Sequence, residues 1–302
     1  MLQSKSFAHA GAEPILNSDK GPLMTLNDLP TISETIAKFD LAAKKSLGQN
    51  FILDLNITEK IARQGLPYSA DETLLEVGPG PGALTRGILL NGATHLLALE
   101  KDQRCLDALS PLQEASQGRL CVQEADALEI DFSTLSPKPL KIIANLPYNI
   151  STQLLLAWIE GVQHISGLVL MFQKEVALRL VATPRSKAYG RLSILTQLRF
   201  QAHIAFDLPP TAFKPAPKVT SSIVVFKPRG SYPTGDLWCA LKTVTRSAFA
   251  QRRKMLRKTL QPLFSTPEET LTTLGISPTA RAEELSPDDF ITLSHAYLAE
   301  AK

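Results

Sequence analysis

Glu76-Val77-Gly78-Pro79-Gly80-Pro81-Gly82 is the stretch on which the fold turns. Before it, Thr73-Leu74-Leu75-Glu76-Val77 reads as a strand, and from Ala83 onward the apolar spacing reads as a helix. The glycines between them let the backbone approach a ligand that any Cβ would push away, and the embedded prolines argue against a loose linker. A purely structural turn, or the glycine turn of an NAD enzyme, would look similar.

Outward from this stretch the chain alternates. His95 to Glu100, Arg119 to Glu124, Leu140 to Ala144 and Leu168 to Phe172 read as further strands. Amphipathic helices are predicted from Asp102 and over Ser151 to Ile159, the latter capped by Ser151 or Thr152. Strands and helices at this spacing predict a parallel sheet covered on both faces, with ligands outside the carboxyl ends of the strands. Phe200 to Phe206 and Ser222 to Phe226 are joined by a segment too rich in proline for a crossover helix, so an antiparallel hairpin at the sheet edge is expected. Beyond Gly230 the patterns are helical and broken at Pro262, Pro267, Pro278 and Pro287. The division expected is a mobile extension over 1–40, within which Thr31 to Phe39 carries a short helical pattern, a sheet domain over 41–229 and a helical domain over 230–302.

Composition bounds the function. With 302 residues, 20% charged and 44% hydrophobic, the chain is neither disordered nor a small stapled scaffold. A net charge of +3 is too small to identify a nucleic-acid partner without its distribution. Cys105, Cys121 and Cys239 form no close pair, and the five histidines show no metal-ligand spacing, so no metal is expected. The first residues lack the pattern of a signal or transit peptide, and no apolar run reaches the ~20 residues of a membrane span. The cytoplasm is the expected compartment, with no membrane partner.

Glu100 ends the second strand about 20 residues after the glycines, where a carboxylate accepts both ribose hydroxyls of an adenosine-containing cofactor. NAD and S-adenosylmethionine both meet that description. Asp126 follows the third strand at the corresponding end, placed to accept an adenine amino proton. The decisive residues are Asn145-Leu146-Pro147-Tyr148, directly after the fourth strand. An exocyclic adenine amine is a poor nucleophile because its lone pair is delocalised into the ring. The Asn145 side-chain oxygen and the Leu146 carbonyl can accept its two N–H bonds, Tyr148 can stack on the base, and Pro147 fixes the turn without a competing donor. An isolated tetrapeptide of this kind is more often a cap and turn; after a cofactor-type glycine loop it points to amino-group methylation.

Several segments together resemble the ribosomal RNA adenine dimethyltransferase family: KSLGQNFIL (45–53), EVGPGPGALT (76–85), NLPYNIST (145–152), AYGRLS (188–193), FKPAPKV (213–219), QRRKMLRKTL (251–260) and RAEEL (281–285). The resemblance implies a class I S-adenosylmethionine-dependent methyltransferase: Rossmann-like, a mostly parallel seven-stranded sheet with an antiparallel last strand, plus a small all-helical C-terminal domain. It implies that Asn50, Ile52, Gly78, Gly80, Glu100 and Asp126 bind the cofactor, that Asn145 touches cofactor and substrate, and that Phe213 either helps hold the target base or anchors two edge strands. Phe51 and Phe172 are expected in the core. The C-terminal segments look like the small-subunit branch, which implies a monomeric enzyme acting on two adjacent adenosines in the 3′-terminal hairpin loop of 16S rRNA in the immature small ribosomal subunit. A large-subunit (23S) enzyme of the resistance branch, an assembly factor whose binding outweighs catalysis, and an NAD oxidoreductase are the rival readings.

Between Lys242 and Lys258 there is no acid, while Lys242, Arg246, Arg252, Arg253, Lys254, Arg257 and Lys258 are cationic. Helical spacing would turn Phe249, Leu256 and Leu260 inward and leave the cations facing RNA phosphates, with Lys44 and Lys45 extending the surface.

Overall fold

The structure, a computed structural model, describes residues 24–41 and 50–300. In order, these form α1 (Ile32–Lys38), β1 (Phe51–Ile52), α2 (Leu55–Arg63), β2 (Thr73–Val77), α3 (Ala83–Leu90), β3 (Leu96–Glu100), α4 (Gln103–Ala115), β4 (Leu120–Glu124), β5 (Leu140–Ala144), α5 (Tyr148–Glu160), β6 (Ile165–Gln173), α6 (Lys174–Leu180), α7 (Arg191–Arg199), β7 (Phe200–Leu208), β8 (Phe213–Lys214) and β9 (Ser221–Pro228). Then come α8 (Gly235–Ala248), α9 (Leu256–Thr259), α10 (Pro267–Thr273) and α11 (Pro287–Glu300). Lys44 and Lys45 lie outside the described residues.

Seven strands make one sheet in the order β4-β3-β2-β5-β6-β9-β7. β2 through β6 pair in parallel, and β9 runs antiparallel to both β6 and β7. The hairpin expected from the sequence is present, but the last strand is not the edge: β9 is threaded between β6 and β7. The side chains account for this. Ser221-Ser222-Ile223-Val224 are all buried, as an interior strand requires, whereas exposed positions recur along β7. β1 and β8 form a separate two-stranded pair, Ile52 opposite Phe213.

Successive residues of β2 feed two different cores. Leu75 and Val77 join α5, α7 and the C-terminal helices, while Leu74 joins α2, α3 and α4. The strand order reverses on either side of β2, which opens a crevice beyond the carboxyl ends of β2 and its neighbour β5. Gly78 and Asn145 stand at those two ends.

The mobile extension predicted over 1–40 is corrected for residues 24–40. Thr31 and Glu34 close a capping box on α1, Ile32 is buried, and Arg86 Nη1 donates to the Pro30 carbonyl at 3.0 Å. Leu41 packs with Cys105 and Ala108. At the other end, Arg199 fastens the C-terminal helices. It is buried, donates to the carbonyls of Ile159, Glu160 and Pro233 at 2.8–3.0 Å, and lies 3.8 Å from the Trp238 ring centroid. One apolar cluster continues from β5 and α5 into Leu241, Val244, Leu256 and Phe290.

Candidate active site

The loop after β2 is built from left-handed glycines, with φ of +68° at Gly78, +54° at Gly80 and +86° at Gly82. Their reasons differ. A Cβ on Gly82 would lie 2.8 Å from Leu112 Cδ2, so that glycine lets α3 seat on α4. A Cβ on Gly78 would meet nothing within 4 Å among the described residues; it would enter the cleft.

That cleft encloses about 1120 Å³, part of it open to solvent. Asn50, Ile52, Gly78, Gly80, Glu100, Asp126 and the whole turn from Asn145 to Tyr148 line it. Glu100 is no loose surface acid. It is buried, its Oε1 accepts the Lys101 and Asp102 amides at 2.8 and 2.9 Å, and its Oε2 accepts the Gly80 amide at 3.0 Å. Asp126 accepts the Leu128 amide at 3.0 Å and pairs with Lys101 at 3.2 Å, and both hold its carboxyl below the usual range. Phe51, expected in the core, is buried but also forms a wall of the cleft, against Gly80; Phe172 lies wholly in the core.

Glu76 is a feature of the cleft that the sequence displayed and left without a role. It is 1% exposed, its Oε2 has no hydrogen-bond partner among the described residues, and it lines the cleft below the glycines. Burial pushes its carboxyl up to about 8, against the opposing pull of neighbouring Thr85, and the nearby Glu100 charge adds to the rise.

The turn after β5 is held from three sides. Leu146 is 2% exposed and anchors it in the core. Pro147, at φ −55°, accepts the amides of Ile150 and Ser151 through its carbonyl, both at 3.1 Å. Helix α5 therefore begins at Tyr148, and the predicted start on a Ser151 or Thr152 cap is corrected. Ser151 instead donates to the Tyr148 carbonyl at 3.1 Å, a bond within the first turn. Asn145 Nδ2 donates to the Asn50 carbonyl at 3.4 Å. Because a carbonyl can only accept, this contact fixes the amide orientation and turns Oδ1 away from it. Among the described residues no hydrogen bond takes Asn145 Oδ1 or the Leu146 carbonyl, so the turn offers two acceptors at the cleft. Tyr148 bonds through its hydroxyl to Ser221 Oγ at 2.6 Å, and burial raises its phenol above the ordinary value.

The remaining predicted residues lie elsewhere. Phe213 is 5% exposed, packed with Ile52, Leu208 and Ile223, and does not line the cleft, so in this structure it is the strand anchor. The basic run is not one helix: α8 ends at Ala248, and Arg252 and Arg253 sit in the turn before α9. Three of its cations are already paired, which corrects their placement on a free face. Lys242 meets Glu160 at 3.0 Å, Arg252 meets Glu283 at 2.9 Å, and Arg257 meets Glu268 at 3.3 Å. Arg252 also donates to the carbonyls of Lys187 and Tyr189. Arg246 and Arg253 are exposed, with Lys254 and Lys258 beside them in sequence.

The glycine cradle, open in front of Gly78, the oriented Glu100 carboxylate and Asp126 fit an adenosine-containing cofactor. The adjoining Asn-Leu-Pro-Tyr turn gives that cofactor an amine to act upon. Sheet order and cleft together define a class I S-adenosylmethionine-dependent methyltransferase. The family model described as ribosomal RNA adenine dimethylase matches residues 41–299, and the chain belongs to that family. It is 49% identical over 279 residues to ribosomal RNA small subunit methyltransferase A of Xanthobacter autotrophicus, covering 91% of this chain and 96% of that relative. To the protein of the same name from Ruegeria sp. it is 50% identical, covering 91% and 99%. Among solved structures, a dimethyladenosine transferase from Plasmodium falciparum superposes with a TM-score of 0.73 at 25% identity, over 82% of this chain and 97% of that one. The 23S rRNA methyltransferase ErmE superposes at 0.65 and 24% identity, covering 82% and 98%, a likeness of fold alone. The relatives' names do not favour the large-subunit reading. No described helix is long and apolar enough to cross a membrane.

Proposed function

We propose that this enzyme transfers methyl groups from S-adenosylmethionine to N6 of two adjacent adenosines in the 3′-terminal hairpin loop of 16S rRNA, giving N6,N6-dimethyladenosines. The observation that carries the reading is the pair of untaken acceptors, Asn145 Oδ1 and the Leu146 carbonyl, beside the cofactor cleft. An adenine amine bonded to both has its two protons held and its lone pair localised and aimed across the cleft. The cofactor, when bound, supplies an already activated methyl group, so the protein's contribution is alignment for in-line displacement. Asn50, Ile52, Gly78 and Gly80 shape the cofactor's seat, Glu100 takes its ribose hydroxyls, and Asp126 takes its adenine amine. Tyr148 stacks on a target base that has left its own stack.

On this reading the enzyme works as a cytoplasmic monomer on the immature small subunit, with Arg246 and Arg253 contacting phosphates. Such contacts position the particle, and the choice of adenosine comes from the shape of the folded RNA. The test is transfer of labelled methyl groups to unmethylated small subunits, naked rRNA and large subunits, with nucleoside analysis of the products. Dimethyladenosine confined to small-subunit RNA is expected; product in the large subunit would overturn the assignment.

A further inference from the structure

Ser221 belongs to none of the motifs, yet it touches the most telling of them. It is wholly buried at the first position of β9, opposite Gln173 of β6 and Leu208 of β7. Its hydroxyl lies 2.6 Å from the Tyr148 hydroxyl, 73 residues earlier in the chain. The residues around it are pinned. The Lys174 amide donates to the Thr220 carbonyl at 2.9 Å, Ser222 Oγ donates to Asp207 Oδ1 at 2.6 Å, and Lys174 Nζ pairs with Asp207 Oδ2 at 2.6 Å. Ser221 thus presents its hydroxyl from a position with little freedom to move.

We infer that Ser221 is a positioning residue for the target base: by holding the Tyr148 hydroxyl it sets the direction, and so the place, of the ring on which that adenine stacks. Tyr148 is the first residue of α5, so its backbone is fixed by the helix start and its far end by Ser221. Two fixed ends define the long axis of the ring, where one would leave it free to swing about χ1. The arrangement gives a reason for tyrosine here, since stacking alone requires no hydroxyl. It also fastens the base platform to the end of the proline-rich loop, whose other segment, β8, pairs with the cleft-lining β1. Ser221 itself touches no reacting atom.

This inference rests on the proposal that Tyr148 stacks on the target adenine, and the experiment separates the two. RNA carrying 2-aminopurine at the target position reports stacking by loss of fluorescence, alongside methyl transfer to unmodified small subunits. Ser221→Ala and Tyr148→Phe should each lower kcat/KM by about five- to tenfold, the scale of one neutral hydrogen bond. Each should weaken the quenching, and the double variant should be no worse than either alone. Ser221→Thr, which keeps the hydroxyl, should restore both readouts, and Ser221→Ala should leave cofactor affinity unchanged. Additive losses, or a loss in Ser221→Ala with none in Tyr148→Phe, would overturn the positioning role while leaving stacking intact. Absence of quenching by the wild type, with Tyr148→Ala fully active, would remove the stacking proposal and this one together.

Discussion

Glu76 carries a proton that an exposed glutamate would have lost. Its carboxyl is raised from 4.5 to about 8, first by burial and then by the charge of Glu100. Between those values the folded protein binds a proton that the unfolded chain has released. The contribution of this group is therefore complete below about 4.5 and is lost as pH climbs toward 8. Glu76→Gln, neutral throughout, should flatten this fall, so that the variant overtakes the wild type toward pH 8 in urea unfolding. Parallel slopes for the two proteins would contradict the assignment. Glu100 was legible because a strand end after a glycine loop has one common use. Glu76 was not, because its burial and the nearness of the Glu100 charge arise only once β2 pairs with β3 in the folded sheet, which spacing in the sequence does not display.

At the level of elements, the glycine loop separates packing from binding. Gly82→Ala would force a Cβ to 2.8 Å from Leu112 in a left-handed conformation, and should cost about 1–3 kcal/mol of stability. Gly78→Ala carries the same kind of backbone strain without the clash, and its methyl enters the cofactor's space. It should lose more cofactor affinity, and less melting temperature, than Gly82→Ala; thermal melts with a cofactor titration would show the opposite ranking if the two roles were exchanged. The strands were readable because buried parallel strands are largely apolar runs, and β2, β3 and β5 are apolar but for Thr73, Glu76, Glu100 and Lys141. The start of α5 was misread because Ser151 has the chemistry of a cap, while the carbonyl of Pro147 had already taken the first amides. The two-residue pairing of β1 with β8 is too short to leave a period.

Over the whole molecule, charge is where sequence reading fell furthest short. The run from Lys242 to Lys258 contains no acid, yet Glu160, Glu268 and Glu283 reach three of its cations from other parts of the chain. Only the fold brings these partners together. Arg252→Ala should accordingly lower the melting temperature, since it frees Glu283 and the Lys187 and Tyr189 carbonyls. Arg246→Ala with Arg253→Ala should leave stability nearly unchanged and reduce the salt slope of RNA binding by about 1.5. An unaltered slope would place the RNA elsewhere. The fold joins two halves, a cofactor cleft on β2, β3 and β4 and a base-holding turn on β5, and the account depends on Asn145 serving where they meet. Single-turnover methyl transfer by Asn145→Ala on intact small subunits, with calorimetric cofactor affinity measured in parallel, addresses that dependence directly. A rate lowered by about 10²–10³ with affinity held within a few-fold is the expected result; transfer at the wild-type rate would contradict it.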